Sequence, residues 1–155
     1  MNAISLFTSK LDYKQAVERL MPIVNRTPLE LNHNLSKKYN CNVYLKREDL
    51  QITRSYKLRG AYNMMSRLEK DQLKKAVVCA SAGNHAQGFA YSCKTLGIKG
   101  VVFMPIITPQ QKIQQTKMFG GNNIEIQLVG DTYDDCADAA KKYTEKHDLT
   151  FYSSF

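Results

Sequence analysis

Short apolar runs alternate along the second half of the chain with segments whose apolar residues recur every three or four positions. Each apolar run is followed by turn residues and then by a helical pattern. Alternation of strand and helix with short connections is typical of βαβ units, in which helices pack against a parallel sheet. The sequence therefore predicts an α/β fold. The predicted strands are 76–80, 100–104, 124–129 and 150–152.

The predicted helices between these strands have recognisable end signals. A glycine just past the last turn is a natural C-terminal cap, and threonine or aspartate before the first turn is a natural N-terminal cap. Proline is favoured at the first helical position, so Thr108-Pro109 is interpreted as a cap followed by a helix start. The predicted helices cover 84–96 with Gly97 as its cap, 108–109 to 120–121, and 131–132 to 147.

The first half of the chain has shorter and weaker patterns. It predicts an amphipathic helix over 12–20, a brief strand at 29–31, a short helix over 35–39 and a strand over 42–45. The charged run 46–49 is interpreted as a solvated strand end. Apolar residues at three- and four-residue spacing then predict one helix over 55–70 with a buried face.

Lys57 occupies an unusual place for a lysine. If Ser55 is the N-terminal cap, Lys57 lies at the second helical position, beside unpaired N–H groups and the positive end of the helix dipole. A positive neighbourhood favours a neutral amine, and a neutral amine can attack a carbonyl. Lys57 is therefore a candidate Schiff-base lysine. The alternative is a solvated lysine in a first helical turn.

The segment 81–88, Ser-Ala-Gly-Asn-His-Ala-Gln-Gly, follows a predicted strand and opens a helix. In such a turn backbone N–H groups converge on an anion, so a carboxylate or phosphate would fit. The segment is neither G-x-G-x-x-G nor a P-loop, which argues against a dinucleotide or nucleoside triphosphate site. The alternative is a tight turn between strand and helix, and His85 is interpreted as a capping or packing residue.

Composition narrows the class of protein. The 155 residues suffice for one domain or part of one, and 43% hydrophobic with 23% charged residues is a globular composition. No apolar run is long enough to cross a bilayer, and the first residues do not read as a secretory leader. We therefore expect a cytoplasmic protein without membrane partners.

The formal net charge of +8 raises the possibility of nucleic-acid binding. The lysines are spread over different predicted elements and mixed with acids, so a solvated surface, or a field that suits anionic small molecules, accounts for them better. The three histidines show no ligand spacing, and the four cysteines, scattered without a C-x-x-C motif, are interpreted as small buried apolar residues. We expect no metal site, no disulfide and no nucleic-acid partner.

Three motifs taken together closely resemble the threonine dehydratases, which are pyridoxal-phosphate enzymes of the tryptophan synthase β-subunit fold. They are Lys-Arg-Glu-Asp-Leu at 46–50, Ser-Tyr-Lys-Leu-Arg-Gly-Ala at 55–61 and the segment 81–88. The resemblance continues through Phe-Met-Pro at 103–105, Thr-Pro-Gln-Gln-Lys at 108–112 and Gly-Asp-Thr-Tyr-Asp-Asp at 130–135. It covers almost the whole chain.

The resemblance implies roles for seven residues. Lys57 corresponds to the lysine that holds pyridoxal 5′-phosphate and then acts as the base, Asn84 to the asparagine that hydrogen-bonds the cofactor, and Tyr56 to a residue packed near the cofactor ring. The substrate carboxylate would bind the loop Ser81, Ala82, Gly83, Asn84 and His85. Arg59, Glu48 and Asp49 are interpreted as structural or as residues that support the site from behind its lining.

The implied reaction converts L-threonine to 2-oxobutanoate and ammonia, the first step of isoleucine biosynthesis in the biosynthetic members. Serine dehydratases and serine racemase share the same signals. The resemblance implies that 1–54 begins the large cofactor domain, 55–150 forms the small domain and 151–155 returns to the large one.

Members of this family are longer and homo-oligomeric, and they continue into a glycine-rich loop that binds the cofactor phosphate. The sequence therefore suggests an N-terminal part that is inactive by itself. The alternative is a non-catalytic remnant or interaction module.

Overall fold

The computed structural model describes residues 12–152, and the part before residue 75 contains four α-helices and a two-stranded antiparallel sheet. In chain order these elements are α1 (Tyr13–Leu20), β1 (Leu29–Leu31), α2 (His33–Tyr39), β2 (Tyr44–Lys46), α3 (Lys57–Met65) and α4 (Lys70–Lys74). A 3-10 turn at Glu48–Leu50 connects β2 to the segment before α3. The strands pair with Leu29 opposite Lys46 and Leu31 opposite Tyr44.

The second part alternates strand and helix and forms a four-stranded parallel sheet. Its elements are β3 (Val77–Ala80), α5 (Asn84–Leu96), β4 (Gly100–Met104), α6 (Gln110–Gly120), β5 (Ile124–Leu128), α7 (Tyr133–His147) and β6 (Thr150–Tyr152). The strand order is β5-β4-β3-β6, so the chain moves outward from β3 and then returns to its other side. This reversal places a topological switch point at β3.

Two apolar layers cover the faces of this sheet. On one face, α3, α5 and α6 pack against β3 and β4 around side chains such as Phe89, Met65 and Met104. On the other face, α7 supplies Cys136 and Ala140 to a smaller cluster with strand residues. Since every residue of β3 and β4 is buried, these strands carry continuous apolar runs rather than an alternating pattern.

The predicted α/β fold with a parallel sheet is confirmed, and each predicted strand of the second half is present within one residue of its bounds. Gly97 has a left-handed φ of 69° and caps α5, as predicted. Thr132 caps α7, because its hydroxyl accepts a hydrogen bond from the backbone N–H of Asp135 while the Asp135 carboxylate accepts one from the N–H of Thr132. Residues 1–11 and 153–155 lie outside the described part. The prediction that the first residues are not a secretory leader falls on these residues.

The predicted helix over 55–70 is wrong at both ends. Ser55 does not cap it: its hydroxyl is buried without a hydrogen-bond partner, and Arg54 before it takes a left-handed φ of 58°. The helix begins at Lys57 and ends at Met65, and α4 starts separately because the Gln72 side chain accepts a hydrogen bond from the N–H of Glu69. This local cap starts a new helix at a place where the apolar periodicity predicts one continuous helix.

Three further local predictions are wrong. Thr108 does not cap α6, because its buried hydroxyl has no hydrogen-bond partner and Pro109 occupies the cap position. Cys41 is exposed, whereas the other three cysteines are buried as small apolar residues. Strand β2 also begins later than the predicted 42–45.

The charged run 46–49 was interpreted as a solvated strand end, but its side chains also bind other parts of the chain. Glu48 accepts hydrogen bonds from Thr27 and from Arg59 of α3, while the ammonium group of Lys46 donates to the carbonyl of Thr27. Arg47 forms ion pairs with Glu30 and Asp49. These contacts attach the antiparallel sheet to α3.

Candidate functional site

Lys57 is the first residue of α3 and lies where the chain leaves a sharp turn. The turn forms because Arg54 adopts its left-handed conformation and donates its N–H to the carbonyl of Gln51. Tyr56 occupies the cap position with helical backbone angles and no side-chain cap. The Lys57 amine lies 5.5 Å from the centre of the Tyr56 ring. The prediction that Lys57 lies at a helix start is therefore confirmed. Lys57 is the first helical residue, whereas the sequence predicted the second helical position.

The loop 81–83 continues directly from the carboxyl end of β3. Ser81 donates its N–H to the carbonyl of Phe103 on β4, and its hydroxyl accepts a hydrogen bond of 3.3 Å from the N–H of Gly83. Gly83 is extended and provides no side chain to cap α5, which begins at Asn84. The first turn of α5 thus presents backbone N–H groups and the positive end of its dipole without a competing side-chain acceptor, an arrangement suited to an anion.

Helices α3 and α5 approach most closely at Gly88. A Cβ atom on Gly88 would lie 3.0 Å from the Leu58 nitrogen and 3.1 Å from the Lys57 carbonyl carbon. Only glycine lets the backbone at the start of α3 rest on α5 at this distance. The contact brings the lysine motif and the 81–88 segment together, although 24 residues separate Lys57 from Ser81.

A cavity of about 180 Å³ opens between these helices, and we call it the Lys57 cavity. It lies beside the carboxyl ends of β3 and β6, at the topological switch point, where ligands bind in open parallel α/β sheets. Most of its surface is apolar. Its lining residues are Tyr56, Lys57, Gly60, Ala61, His85 and Tyr152.

His85 forms a buried wall of the Lys57 cavity. Its imidazole stacks on the ring of Tyr152 with 4.9 Å between ring centres and 18° between planes, and its Nε2 has no hydrogen-bond partner among the described residues. Burial first, and then the charge of Lys57, lower the pKa of His85 from 6.5 to about 4. The imidazole is therefore neutral at physiological pH, in line with its interpretation as a packing residue.

The structure brings together some predicted site residues and separates others. Lys57, Tyr56 and His85 share the Lys57 cavity, although the Tyr56 side chain is 61% exposed. Asn84 is exposed and lines a different cavity of about 330 Å³, together with Arg54 and polar residues of α5 and α6.

The other three predicted site residues follow β3 directly. Ser81 is buried, whereas Ala82 and Gly83 are half-buried. Their place at the carboxyl end of β3 puts them at the start of α5, next to His85.

Three lining residues were not among the predicted site residues. Gly60 and Ala61 follow Lys57 by three and four positions, and this spacing along one helical face was a signal that could have identified them. Tyr152 had no such signal, because its position depends on β6 pairing with β3.

The ion pair between Arg59 and Glu48 fixes the helix that carries Lys57. The Arg59 Nε and Nη2 atoms lie 2.9 Å and 2.8 Å from the two Glu48 carboxylate oxygens, a bidentate arrangement. Hydrogen bonds from Arg59 lower the pKa of Glu48 from 4.5 to about 2. Both residues have a structural role, as predicted, and Asp49 is engaged by Arg47 instead.

Metal-binding clusters and membrane-spanning helices are absent from residues 12–152. No group of three or more His, Cys, Asp or Glu side chains there is arranged to hold a metal ion. No helix in that range has the length and apolar character needed to cross a membrane.

The chain is similar to threonine dehydratases and to structurally related enzymes. It is 56% identical over 147 residues to the biosynthetic L-threonine dehydratase IlvA of Staphylococcus epidermidis, a match that spans 95% of this chain and 35% of the relative. The processed form of threonine deaminase isoform 2 from Solanum lycopersicum superposes with a TM-score of 0.82 at 38% identity, covering 98% of this chain and 40% of that one.

Maize serine racemase superposes equally well, with a TM-score of 0.82 at 28% identity over 89% of this chain and 41% of that structure. The chain thus spans about a third of the length of the curated relatives that it matches. Residues 20–155 match the family description "Pyridoxal-phosphate dependent enzyme". With nearly nine-tenths of its length matched and the family's fold in place, the chain belongs to the pyridoxal-phosphate dependent enzymes.

Proposed function

We propose that this chain forms part of an enzyme that uses pyridoxal 5′-phosphate to convert L-threonine to 2-oxobutanoate and ammonia. The observation that carries the proposal is the meeting of Lys57 with the first turn of α5 at the switch point of the sheet. The similarity to enzymes named threonine dehydratase supports the choice of substrate. The same names support a place in isoleucine biosynthesis, and we propose a cytoplasmic location.

The residues of the Lys57 cavity fit the cofactor. Pyridoxal phosphate, when bound, supplies an aldehyde for attachment to a lysine and a ring that accepts electrons. Lys57 provides the amine on a cavity wall, and the neutral His85 with the Tyr152 ring provides an apolar surface against which a planar ring can pack. The buried, unpartnered Nε2 of His85 leaves a hydrogen-bonding group for a ligand.

Each predicted residue has a proposed role. The Lys57 amine would hold the cofactor, and it would accept the proton from the α-carbon of the substrate. The loop from Ser81 to His85 binds the substrate carboxylate through backbone N–H groups and the Ser81 hydroxyl. We propose Asn84 as a hydrogen-bond partner of the cofactor and Tyr56 as a neighbour of its ring.

Asn84 and Tyr56 are the proposed ligands that depend most on the rest of the enzyme. Asn84 lines the separate cavity of about 330 Å³ beside Arg54 rather than the Lys57 cavity, and Tyr56 is mostly exposed. Both would therefore gain contacts from groups outside the described part of the chain.

The domain division is likewise a proposal. We assign 1–54 to the large cofactor domain, 55–150 to the small domain and 151–155 to the return into the large one. The separate antiparallel sheet before residue 55 supports this division. The pair between Glu48 and Arg59 joins the two parts across the proposed boundary.

Serine is the second candidate substrate. The observation that favours it is the superposition on maize serine racemase at a TM-score of 0.82, which shows that a serine enzyme shares this fold. Steady-state rates of 2-oxoacid formation from threonine and from serine, and of serine racemisation, would separate these activities. We expect threonine to have the highest kcat/KM.

We further propose that the 155-residue chain is inactive by itself and that the complete enzyme is a homo-oligomer. The relatives are nearly three times as long, and within residues 12–152 the one anion-binding loop that we identify is assigned to the substrate carboxylate rather than to the cofactor phosphate. Ammonia release from threonine by the purified 155-residue chain would contradict this proposal. The absence of activity, restored by a complementary segment from a relative, would support it.

Covalent trapping tests the role of Lys57 directly. The chain is incubated with pyridoxal phosphate and reduced with borohydride, and the labelled peptide is identified by mass spectrometry. We expect the label on Lys57, and we expect the Lys57→Ala variant to lose it. The matched control is Lys94→Ala, which removes an exposed lysine on α5. A label spread evenly over surface lysines, and unchanged by Lys57→Ala, would overturn the assignment.

A further inference from the structure

Three aromatic rings form a continuous stack from the apolar core to the Lys57 cavity. The ring of Tyr152 lies 6.0 Å from that of Phe89 and 4.9 Å from that of His85, with 18° between planes in both pairs. Phe89 is fully buried, whereas His85 and Tyr152 line the cavity. His85 and Phe89 are four positions apart on α5, so one ring from β6 can cover both.

Tyr152 is the part of this stack that does not belong to α5. It is the last residue of β6 and is only 2% exposed, because β6 lies beside β3 with Tyr152 opposite Cys79. The Nε2 of His85 has no hydrogen-bond partner in the described chain, so no hydrogen bond at that atom orients the imidazole. The stacking contact with Tyr152 orients it instead. The ring also separates the imidazole from solvent on that side.

The groups around His85 come from three elements. Lys57 of α3 lines the cavity together with the imidazole, Tyr152 of β6 stacks on it, and Cys79 of β3 is the strand partner of Tyr152. Burial raises the pKa of Tyr152 to about 12, and burial also raises the pKa of Cys79 well above its ordinary value. Tyr152 and Cys79 are therefore neutral at physiological pH, and the charge in this set that lowers the pKa of His85 is that of Lys57.

We propose that Tyr152 is a positioning residue of the Lys57 cavity: its ring fixes the plane of the His85 imidazole and shields the imidazole from water, so that the wall facing Lys57 is uncharged. An uncharged, flat wall suits a planar ring bound at Lys57, and in this respect the inference rests on the proposed function. Without the ring, water reaches the imidazole and a second cation forms beside Lys57 in mild acid.

Titration of the imidazole by NMR tests the proposal in the 155-residue chain. Only three histidines contribute signals, and His85→Gln identifies those of His85. In the unaltered chain and in Tyr152→Phe, which keeps the ring, we expect His85 to remain neutral down to about pH 4. In Tyr152→Leu we expect its midpoint to rise by one pH unit or more.

The matched control is Phe103→Leu, which removes an aromatic ring from the core on the opposite face of the sheet. It reports any effect of general loss of packing. An unchanged His85 midpoint in Tyr152→Leu, or an equal rise in Phe103→Leu, would overturn the proposal.

A measurement on the unaltered chain covers the case in which Tyr152→Leu fails to fold. Carbon-bound protons of an imidazole stacked at 4.9 Å are shifted upfield by the neighbouring ring. We expect this shift for His85 in the unaltered chain and in Tyr152→Phe. Random-coil shifts for His85 in the folded chain would contradict the inference.

Trapping at Lys57 distinguishes the failure of this inference from the failure of the proposed function. We expect Tyr152→Leu to trap several-fold less pyridoxal phosphate at Lys57 at and below about pH 5, where the raised His85 midpoint makes the imidazole a cation, and Tyr152→Phe to match the unaltered chain. If Lys57 is not labelled in any variant while His85 responds to Tyr152, the proposed function fails and the positioning role stands. If Lys57 is labelled equally in all variants and the His85 midpoint does not move, the positioning role fails alone.

Discussion

The two sheets of this protein are stabilised in opposite ways. Every residue of β1 and β2 is exposed, and this two-stranded sheet is held by hydrogen bonds and ion pairs that converge on Glu48 and Arg47. Every residue of β3 and β4 is buried between two apolar layers. The first sheet therefore depends on the charge state of a few side chains, and the second on the burial of apolar area.

Helix α3 connects these two regions, and Lys57 lies at its start. Leu58, Ala61 and Met65 bury one face of the helix in the core, while Arg59 turns the other way and binds Glu48. The Lys57 cavity is thus placed by apolar packing from one side and by an ion pair from the other. Changes in either region should reach Lys57, but with different magnitudes and different pH dependence.

The largest effect is expected from the apolar layer. Phe89→Ala removes a fully buried ring and leaves a cavity, which costs about 4 kcal/mol of the free energy of unfolding. Tyr44→Ala, in the exposed strand β2, should change that free energy by less than about 0.5 kcal/mol. Urea denaturation followed by circular dichroism measures both. Equal losses in the two variants would contradict the division between the sheets.

A smaller loss, with a specific effect at the site, is expected where α3 rests on α5. Gly88→Ala forces a methyl group against the backbone of Lys57 and Leu58, so the helices must separate at a cost of about 3 kcal/mol. We also expect less pyridoxal phosphate to be trapped at Lys57.

Gly60→Ala is the control for that substitution, because its added methyl group meets no atom within 4 Å. It should stabilise α3 by about 0.5 to 1 kcal/mol. A Gly88→Ala chain as stable as Gly60→Ala would show that the close approach does not constrain the helices.

The ion pair should contribute less than the apolar core and should depend on pH. Glu48→Gln removes the charge that Arg59 binds, and the lowered pKa of Glu48 corresponds to about 3 kcal/mol before screening. Because Arg59 is 32% exposed, we expect a loss of about 2 kcal/mol at pH 7.

The sign of the pH dependence follows from the direction of that pKa shift. The folded pKa of Glu48 is about 2, below the ordinary 4.5, so its contribution is complete above pH 4.5 and is lost as the pH falls toward 2. The difference between Glu48→Gln and the unaltered chain should therefore shrink over this window in urea titrations. A difference that stays constant from pH 7 to pH 2 would assign the effect to packing instead.

The smallest effect is expected at the exposed pair of Lys75 with Asp148, between α4 and the end of α7. Lys75 lowers the pKa of Asp148, but the aspartate side chain is 90% exposed and solvent screens the pair. Asp148→Asn keeps a residue that tolerates the left-handed φ of 50° at this position. We expect no measurable change in the midpoint of thermal unfolding, and a clear decrease would reveal a structural role for this pair.

Local patterns in the sequence predicted the bounds of an element correctly wherever the residues of that element determine where it begins and ends. The apolar runs predicted the four parallel strands, Gly97 predicted the end of α5, and Thr132 predicted the start of α7. They failed for α3, since the turn at Arg54 and the cap at Glu69 are local conformations that apolar spacing does not encode. The motifs around Lys57 and Ser81 identified the family because each motif is contiguous in the sequence.

The sequence by itself thus determined the α/β alternation, the family and the candidate lysine. The tertiary structure decided which residues surround that lysine. Pairing of β6 with β3 brings Tyr152 onto His85, and the approach of α3 to α5 at Gly88 brings His85 to Lys57 while leaving Asn84 in a different cavity. The physical reason is that strand order and helix packing are set by long-range burial of apolar surface, which periodicity within one segment does not specify.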